Sequence, residues 1–284
     1  MTRFLFLLLV PLVPVIQTRL DASLGGQGLA EGRLYLRTGA EVRRLVPGFE
    51  GLMADIYWLR TVQYYGSQRA FSPDPHYELL RPLIDITTRL DPRFELAYRY
   101  GAIFLSEARP NGAGKPEQGV EVLEAGVRQL PHSWRLRWDL GSFYFAFLSD
   151  SKRAAAVLVE AAKLPNAPYW LESLAGKFLM GDDRQASRAI WRRQYELGEG
   201  AMRDNAAYHL QVLDALDTRD ALRERVERFR AARGRVPREL GELVAGGLIR
   251  ELPRDPSGAA FAYNPETGNV TIARESRLWR SKYE

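Results

Sequence analysis

The spacing of apolar and polar residues divides the chain into four regions. Residues 1–19 contain a continuous apolar run, and residues 20–48 are rich in Gly and weakly patterned. Over residues 49–233 apolar residues recur every three or four positions, and residues 234–284 combine a short helical pattern with an alternating one. Because the first spacing gives an α-helix one apolar face and alternation is typical of a strand, the pattern predicts an all-α body with a small α+β region at its C-terminal side.

The body is predicted to consist of consecutive antiparallel helix pairs. Its first helix begins near Phe49, and Gly66 is placed to end it; the second ends before Pro92. Residues 202–233 are predicted to form a further pair of helices. Residues 20–48 are predicted to be an extended arm, in which Leu34–Leu45 contains two short strand-like runs on either side of Thr38 and Gly39.

A repeat is visible in the middle of the body. Trp134–Ala167 is 34 residues long. Pro165, two residues before its end, cannot continue a helix. The small residues Gly101, Gly141 and Ala175 recur at spacings of 40 and 34, at positions where a neighbouring helix approaches closely. One helix pair cannot bury its apolar face, whereas stacked pairs share a continuous core. A repeat array is therefore the predicted architecture.

Residues 234–284 are predicted to form a cap on the array. A short helix is expected over Pro237–Leu248, with Pro at its start and Gly near its end. Asp255 begins a turn of sequence DPSG, and the alternating stretch that follows predicts a hairpin with Asn264–Gly268 as its loop.

Charge and composition exclude several classes of function. The chain has no Cys, which excludes disulfides, thiolate metal sites and cysteine nucleophiles. Residues 1–48 carry a net charge of +3 and residues 219–284 of +4, so the central residues 49–218 must carry −2 to give the total of +5. A nucleic-acid reader concentrates basic charge on its folded body, so no nucleic-acid partner is predicted. Basic charge at the two ends suits anionic lipid.

The apolar run Phe4–Ile16 predicts the cellular location of the protein, which we call its address. It follows Arg3 and is thirteen residues long, whereas a helix that crosses a bilayer core needs about 20. Such a run is typical of an export signal or of a short uncleaved anchor. No small-residue cleavage site follows the run, and cleavage stays undecided. The positive residue before it predicts that the body lies outside the cytoplasm, on the periplasmic side of a bacterial inner membrane.

Enzymatic chemistry is not predicted. His76, His132 and His209 are far apart in the sequence, and no metalloprotease, nucleophile-elbow or phosphate-loop motif is present. Asp55, in an apolar helix near Arg60, is interpreted as part of an ion pair that fixes the first helix; the alternative is a ligand groove containing both. Asp182 and Asp183 begin a predicted helix and are interpreted as its N-cap. No catalytic residue, metal ligand or small-molecule cofactor is therefore assigned.

Binding to a protein or peptide is the predicted function. In stacked helix pairs the first helix of each pair lines the concave side. Counting from the small residues of the repeats selects side chains of the aromatic and Arg types that anchor peptide interfaces. The predicted protein-binding residues are Arg60, Gln63, Tyr64, Tyr98, Leu105, Trp138, Phe145, Glu172 and Leu179.

These residues and spacings resemble the tetratricopeptide repeat superfamily, most clearly over residues 94–200 and more loosely over 49–233. The resemblance implies a right-handed superhelix of helix pairs that binds peptides or builds complexes without chemistry. The chain is also similar to a group of exported bacterial repeat proteins, and ELVAGGLIRELPRDPSG is similar to C-terminal parts of some pilin-like and secretion-associated proteins.

Three functions follow as hypotheses: a membrane-anchored scaffold that helps to assemble a pilus, secretion or transport complex of the cell envelope; a structural subunit of a stable membrane complex; and an enzyme that uses paired carboxylates on a helical scaffold.

Overall fold

The computed structural model describes residues 38–280 of the chain. The chain divides into two compact units, the first ending at Ser149 and the second beginning at Asp150. The predicted signal or anchor segment, residues 1–19, lies outside the described residues, as do residues 20–37 of the predicted arm and residues 281–284.

The described part of the first unit consists of six helices. Consecutive helices from α2 to α6 pack against each other, and α1 packs against α3. The helices are α1 (Gly39–Leu45), α2 (Glu50–Phe71), α3 (Leu80–Leu90), α4 (Glu95–Ser106), α5 (Pro116–Gln129) and α6 (Trp134–Ala146).

Local sequence explains where several of these helices begin. Thr38 and Glu41 form a capping box at α1, in which each side chain accepts a backbone N–H from the other residue. Pro116 occupies the first turn of α5, where a missing N–H costs nothing. Ser133 caps α6 by accepting the N–H of Leu136 at 3.2 Å.

Two glycines allow neighbouring helices of the first unit to approach closely. A Cβ atom on Gly101 of α4 would lie 2.9 Å from Ile84 of α3, and one on Gly126 of α5 would lie 2.8 Å from the ring of Tyr98 of α4. Both distances are shorter than van der Waals contact. The close approach predicted at Gly101 is therefore present, and it is the preceding helix that approaches.

The second unit continues with helices and ends in a small sheet. Its elements are α7 (Ser151–Ala162), α8 (Trp170–Leu179), α9 (Arg184–Leu197), α10 (Gly200–Arg233), α11 (Gly241–Ala245), β1 (Phe261–Tyr263) and β2 (Val270–Ile272). Consecutive helices from α7 to α10 pack against each other, while α11 and β2 both pack against α10. Across the described residues the fold is mostly helical with one two-stranded sheet, which agrees with the predicted all-α class.

The C-terminal hairpin is confirmed. Strands β1 and β2 are antiparallel, with Phe261 opposite Ile272 and Tyr263 opposite Val270. The loop from Asn264 to Asn269 contains Gly268 at φ +78°, a conformation that favours glycine. The apolar face of the hairpin belongs to the same buried cluster as Val226 and Phe229 of α10 and Trp191 of α9.

Two predictions near the start of the first unit are wrong. Residues 39–45 form a helix rather than a strand, because the capping box fixes the first turn and Val42 is fully buried. Gly66 does not end α2, which continues to Phe71. A glycine inside a helix costs only about 1 kcal/mol, and the buried rings of Tyr64 and Tyr65 hold the helix on that side.

Two predictions in the second unit also need correction. Residues 202–233, predicted as two helices, belong to the single helix α10, which contains no Pro or internal Gly and ends at Gly234 with φ +70°. The helix predicted over Pro237–Leu248 is limited to Gly241–Ala245, because Gly247 takes φ +70° and turns the chain.

Candidate protein-binding face

A charged pair links α4 and α6 within the first unit. The Arg99 guanidinium donates hydrogen bonds to the Asp139 carboxylate, one from Nε and a second from Nη2 to Oδ1 at 3.4 Å. Glu95, one turn before Arg99 on α4, has Oε1 3.9 Å from Nη1 of the same guanidinium. The contact fixes the two helices side by side, because two hydrogen bonds between planar groups restrict both side chains.

Burial controls the ionisation of this pair. Desolvation raises the pKa of Asp139, and the Arg99 guanidinium only partly offsets that effect. The hydrogen bond that Arg99 donates to the Asp139 carboxylate in turn raises the pKa of Arg99 and holds the guanidinium charged. Burial makes the Asp139 carboxylate costly to ionise, and the charge of Arg99 offsets that cost. Removing either side chain therefore leaves the other one poorly solvated and without its partner.

Exposed apolar side chains surround the pair. On α4, Leu96, Tyr100 and Ile103 lie on one side of the helix at positions i, i+4 and i+7, and they are 49%, 48% and 38% exposed. On α6, Trp138 is half-buried and Phe145 is 41% exposed. We name this surface the α4–α6 face; it consists of Leu96, Arg99, Tyr100, Ile103, Trp138, Asp139 and Phe145.

An aromatic seam supports the α4–α6 face from the side of α2. Phe104 of α4 stacks on Tyr65 of α2 with ring centroids 4.0 Å apart, and on Trp58 at 6.1 Å. The Tyr65 hydroxyl donates to Glu107 and accepts from Nη1 of Arg69 at 2.7 Å. Burial, together with the bond to Glu107, raises the pKa of Tyr65 to about 12. The seam therefore joins α2 rigidly to α4.

Four of the predicted binding residues pack inside their units. Tyr64 is buried and donates its hydroxyl proton to the backbone oxygen of His76, and Tyr98 is buried against Gly126. Leu105 and Leu179 are also buried. The sequence prediction placed these residues on the concave binding side of the array, whereas they lie on the sides of their helices that pack against neighbouring helices.

The other five predicted residues are accessible to different degrees. Gln63 is exposed, and Arg60 is half-buried beside it on α2. Glu172 of the second unit is half-buried and paired with Arg193. Trp138 and Phe145 lie on the α4–α6 face, so they are the two predicted residues that the structure places beside the charged pair.

Sequence reasoning missed five members of this face: Leu96, Arg99, Tyr100, Ile103 and Asp139. The sequence contained a signal for the three apolar ones, Leu96, Tyr100 and Ile103, because α4 is apolar on two sides. Its small residues Ala97 and Gly101 mark the side that neighbouring helices contact. The large apolar residues between them then fall on the opposite side. The Arg99–Asp139 pair has no such signal, since it joins residues 40 positions apart.

The polar residues weighed as enzymatic candidates occupy unrelated sites. Asp55 is exposed on α2, which does not fit the predicted buried ion pair. His76 and His132 are exposed, whereas His209 is buried and stacks on Trp191 with ring centroids 4.2 Å apart. Asp183 caps α9 by accepting the N–H of Ala186 at 2.9 Å, as its position in the sequence predicts.

Within residues 38–280, no cluster of three or more His, Asp or Glu side chains is arranged to hold a metal ion. No helix among the same residues combines the length and the apolar character needed to cross a bilayer.

Comparison with known proteins gives no relative. No protein-family model matches the chain, and no curated protein or solved structure is significantly similar to it.

Proposed function

We propose that the protein is a non-catalytic scaffold of the tetratricopeptide type, whose helix pairs continue as a right-handed superhelix and bind a protein partner. The observation that carries this proposal is the α4–α6 face. Isolated exposed apolar residues are normal on protein surfaces, but Leu96, Tyr100 and Ile103 form a continuous stripe along α4, and Phe145 of the neighbouring α6 is exposed as well.

The chemistry of the α4–α6 face suits a helical or extended peptide segment. An amphipathic segment docks with apolar anchors at intervals of three or four residues, which matches the stripe on α4. Aromatic rings supply contact area at low entropic cost, and Arg99 with Asp139 offers a fixed donor and acceptor at the edge of the stripe. The partner is therefore a protein segment with large apolar side chains and at least one polar group.

The address comes from the apolar run Phe4–Ile16. We place the folded body on the outer face of a bacterial inner membrane, held there by that segment, where the scaffold contributes to assembly of a cell-envelope complex of the pilus, secretion or transport type. A scaffold tethered in this way needs no cofactor, because its work is to bring protein segments together.

Site-specific photocrosslinking in native membranes tests the proposal. A photoreactive phenylalanine analogue replaces Tyr100, and the matched control carries it at Arg128, an exposed position on α5 of the same unit. The expected result is one defined protein crosslinked at Tyr100 and not at Arg128. The double variant Tyr100→Ser with Ile103→Ser should abolish capture by a label at Phe145 while the fold is retained.

Two outcomes overturn the proposal. Equal or absent crosslinking at the two positions shows that the α4–α6 face is not a binding surface. Recovery of the full-length protein in the cytosolic fraction shows that the address is wrong.

A further inference from the structure

The first two helices carry a second apolar surface, distinct from the α4–α6 face. We name it the α2 stripe; it consists of Leu45, Phe49, Leu52, Ile56 and Leu59. The last four recur at intervals of three or four residues, so they align along one side of α2. All five side chains are between 46% and 67% exposed. None of the elements in residues 38–280 covers them.

The opposite side of the same helix is already occupied. Ala54, Tyr57, Thr61, Tyr64 and Tyr65 are buried against neighbouring helices of the first unit. A helix that is apolar on two opposite sides is typical of an element buried on both. Within residues 38–280 the α2 stripe is therefore an uncovered apolar surface of the kind that marks an interaction site.

The length of chain between the apolar run and Thr38 limits how far the α2 stripe can lie from the membrane. Residues 17–37 separate the apolar run from Thr38, which makes 21 residues. At about 3.3 to 3.6 Å per residue, this connection spans at most about 75 Å. With the apolar run anchored, the start of α1 cannot move further than that from the bilayer. The α2 stripe begins seven residues after Thr38 and is thus within reach of the membrane surface.

Charge at this end of the chain matches an anionic surface. Residues 1–48 contain six Arg and three acidic residues. Arg43 and Arg44, in the last turn of α1, are exposed beside Leu45 at the beginning of the stripe. Basic side chains next to exposed apolar ones are the combination that binds the interface of an anionic bilayer.

We propose that the α2 stripe lies in the headgroup region of an anionic phospholipid bilayer and forms a second membrane attachment beside the N-terminal segment. This inference rests on the address given under the proposed function. Stable attachment of a protein by a short apolar segment generally needs a second signal, and the stripe supplies it. The second contact also fixes the orientation of the first unit against the membrane.

The absence of Cys from the sequence makes a direct test simple. A nitroxide label is attached to Ile56→Cys or Leu52→Cys of the full-length chain in vesicles that contain phosphatidylglycerol. The control label is at Arg128→Cys on α5. Collision with oxygen, which partitions into lipid, and with a water-soluble nickel complex is measured for each position. The expected result is loss of nickel collisions and gain of oxygen collisions at the stripe, with the control open to nickel. In vesicles of phosphatidylcholine alone, nickel collisions at the stripe should return.

Each other outcome contradicts the inference. Nickel access equal to that of the control shows that the stripe faces water. Protection from both reagents shows that protein covers it, either a partner or a second copy. Protection that does not depend on phosphatidylglycerol contradicts the anionic requirement. Flotation of the full-length chain separates this failure from failure of the address: if only the inference fails, the protein still floats with the vesicles, whereas a wrong address leaves it in the soluble fraction.

Discussion

Replacement of the Arg99–Asp139 pair tests the contact that fixes α4 beside α6. We expect Arg99→Leu and Asp139→Leu each to lower the free energy of unfolding by about 2 kcal/mol. Breaking a fully buried pair costs about 3 to 5 kcal/mol, and the value here is smaller because the two side chains remain 22% and 16% exposed. The double variant should regain most of that loss, because two apolar side chains replace two desolvated charges.

The pH dependence of the single variant gives a second, independent check. Burial raises the pKa of Asp139, and loss of Arg99 removes the main effect that lowers it. The folded carboxyl then binds its proton more tightly than the unfolded one, so the stability of Arg99→Leu should rise as the pH falls. The cost of Arg99→Leu relative to the wild type is therefore expected to shrink between neutral and mildly acidic pH.

Urea unfolding, followed by circular dichroism and tryptophan fluorescence, measures all four proteins of this double-mutant cycle. The expected coupling energy is about 3 kcal/mol, because the double variant should cost about 1 kcal/mol rather than the sum of the two single costs. Costs of the single variants that simply add in the double variant would refute the pairing, since residues in contact do not behave independently. A pH-independent cost of Arg99→Leu would refute the ionisation argument alone.

Three other positions give separate predictions. Trp191→Ala should destabilise the second unit by about 3 to 5 kcal/mol in urea unfolding, because the indole is fully buried; a cost below 1 kcal/mol contradicts that packing. Burial tends to raise the pKa of Asp255, but hydrogen bonds from Ser276, Ser257 and the backbone lower it below its usual value. Asp255→Asn should therefore lower the free energy of unfolding by about 1 to 2 kcal/mol at neutral pH. Its stability should then depend less on pH below about pH 4, where the wild type loses the contribution of the ionised carboxylate. A pH dependence equal to that of the wild type in acid contradicts this prediction. In an alkaline titration followed by absorbance, Tyr65→Phe should have less phenolate absorbance than the wild type only near pH 12. A difference that is already present near pH 10 shows that the Tyr65 hydroxyl is not buried as described.

Local sequence was sufficient for most individual elements. The three-to-four spacing predicted the helices of both units, and alternation around a loop predicted the hairpin of β1 and β2. Asp183 was predicted as a helix cap because a side-chain oxygen can reach the first free N–H groups of the same helix. These features depend on contacts within a few residues, so the sequence around them contains the necessary information.

Boundaries were predicted less well wherever packing overrides local preference. Gly66 favours a helix end, yet α2 passes through it because buried Tyr side chains on the same helix outweigh a cost of about 1 kcal/mol. Residues 39–45 have a strand-like pattern, but a capping box and the burial of Val42 make them helical. The capping box is a local signal, but in both cases burial against other helices, which only the folded chain provides, adds energy that local preference does not contain.

The composition of the α4–α6 face was decided almost entirely by tertiary structure. The sequence alone determined a cysteine-free chain of helices with an apolar N-terminal run and basic ends. The small residues of α4 marked its contact side, but counting along the repeats assigned Tyr98 to the surface and missed Tyr100. Close packing of Gly101 on Ile84 and of Tyr98 on Gly126 turns one side inward. The opposite side, with Arg99 bound to Asp139 across 40 residues, becomes the surface, because a helix of fixed period can bury only the side that its neighbours reach.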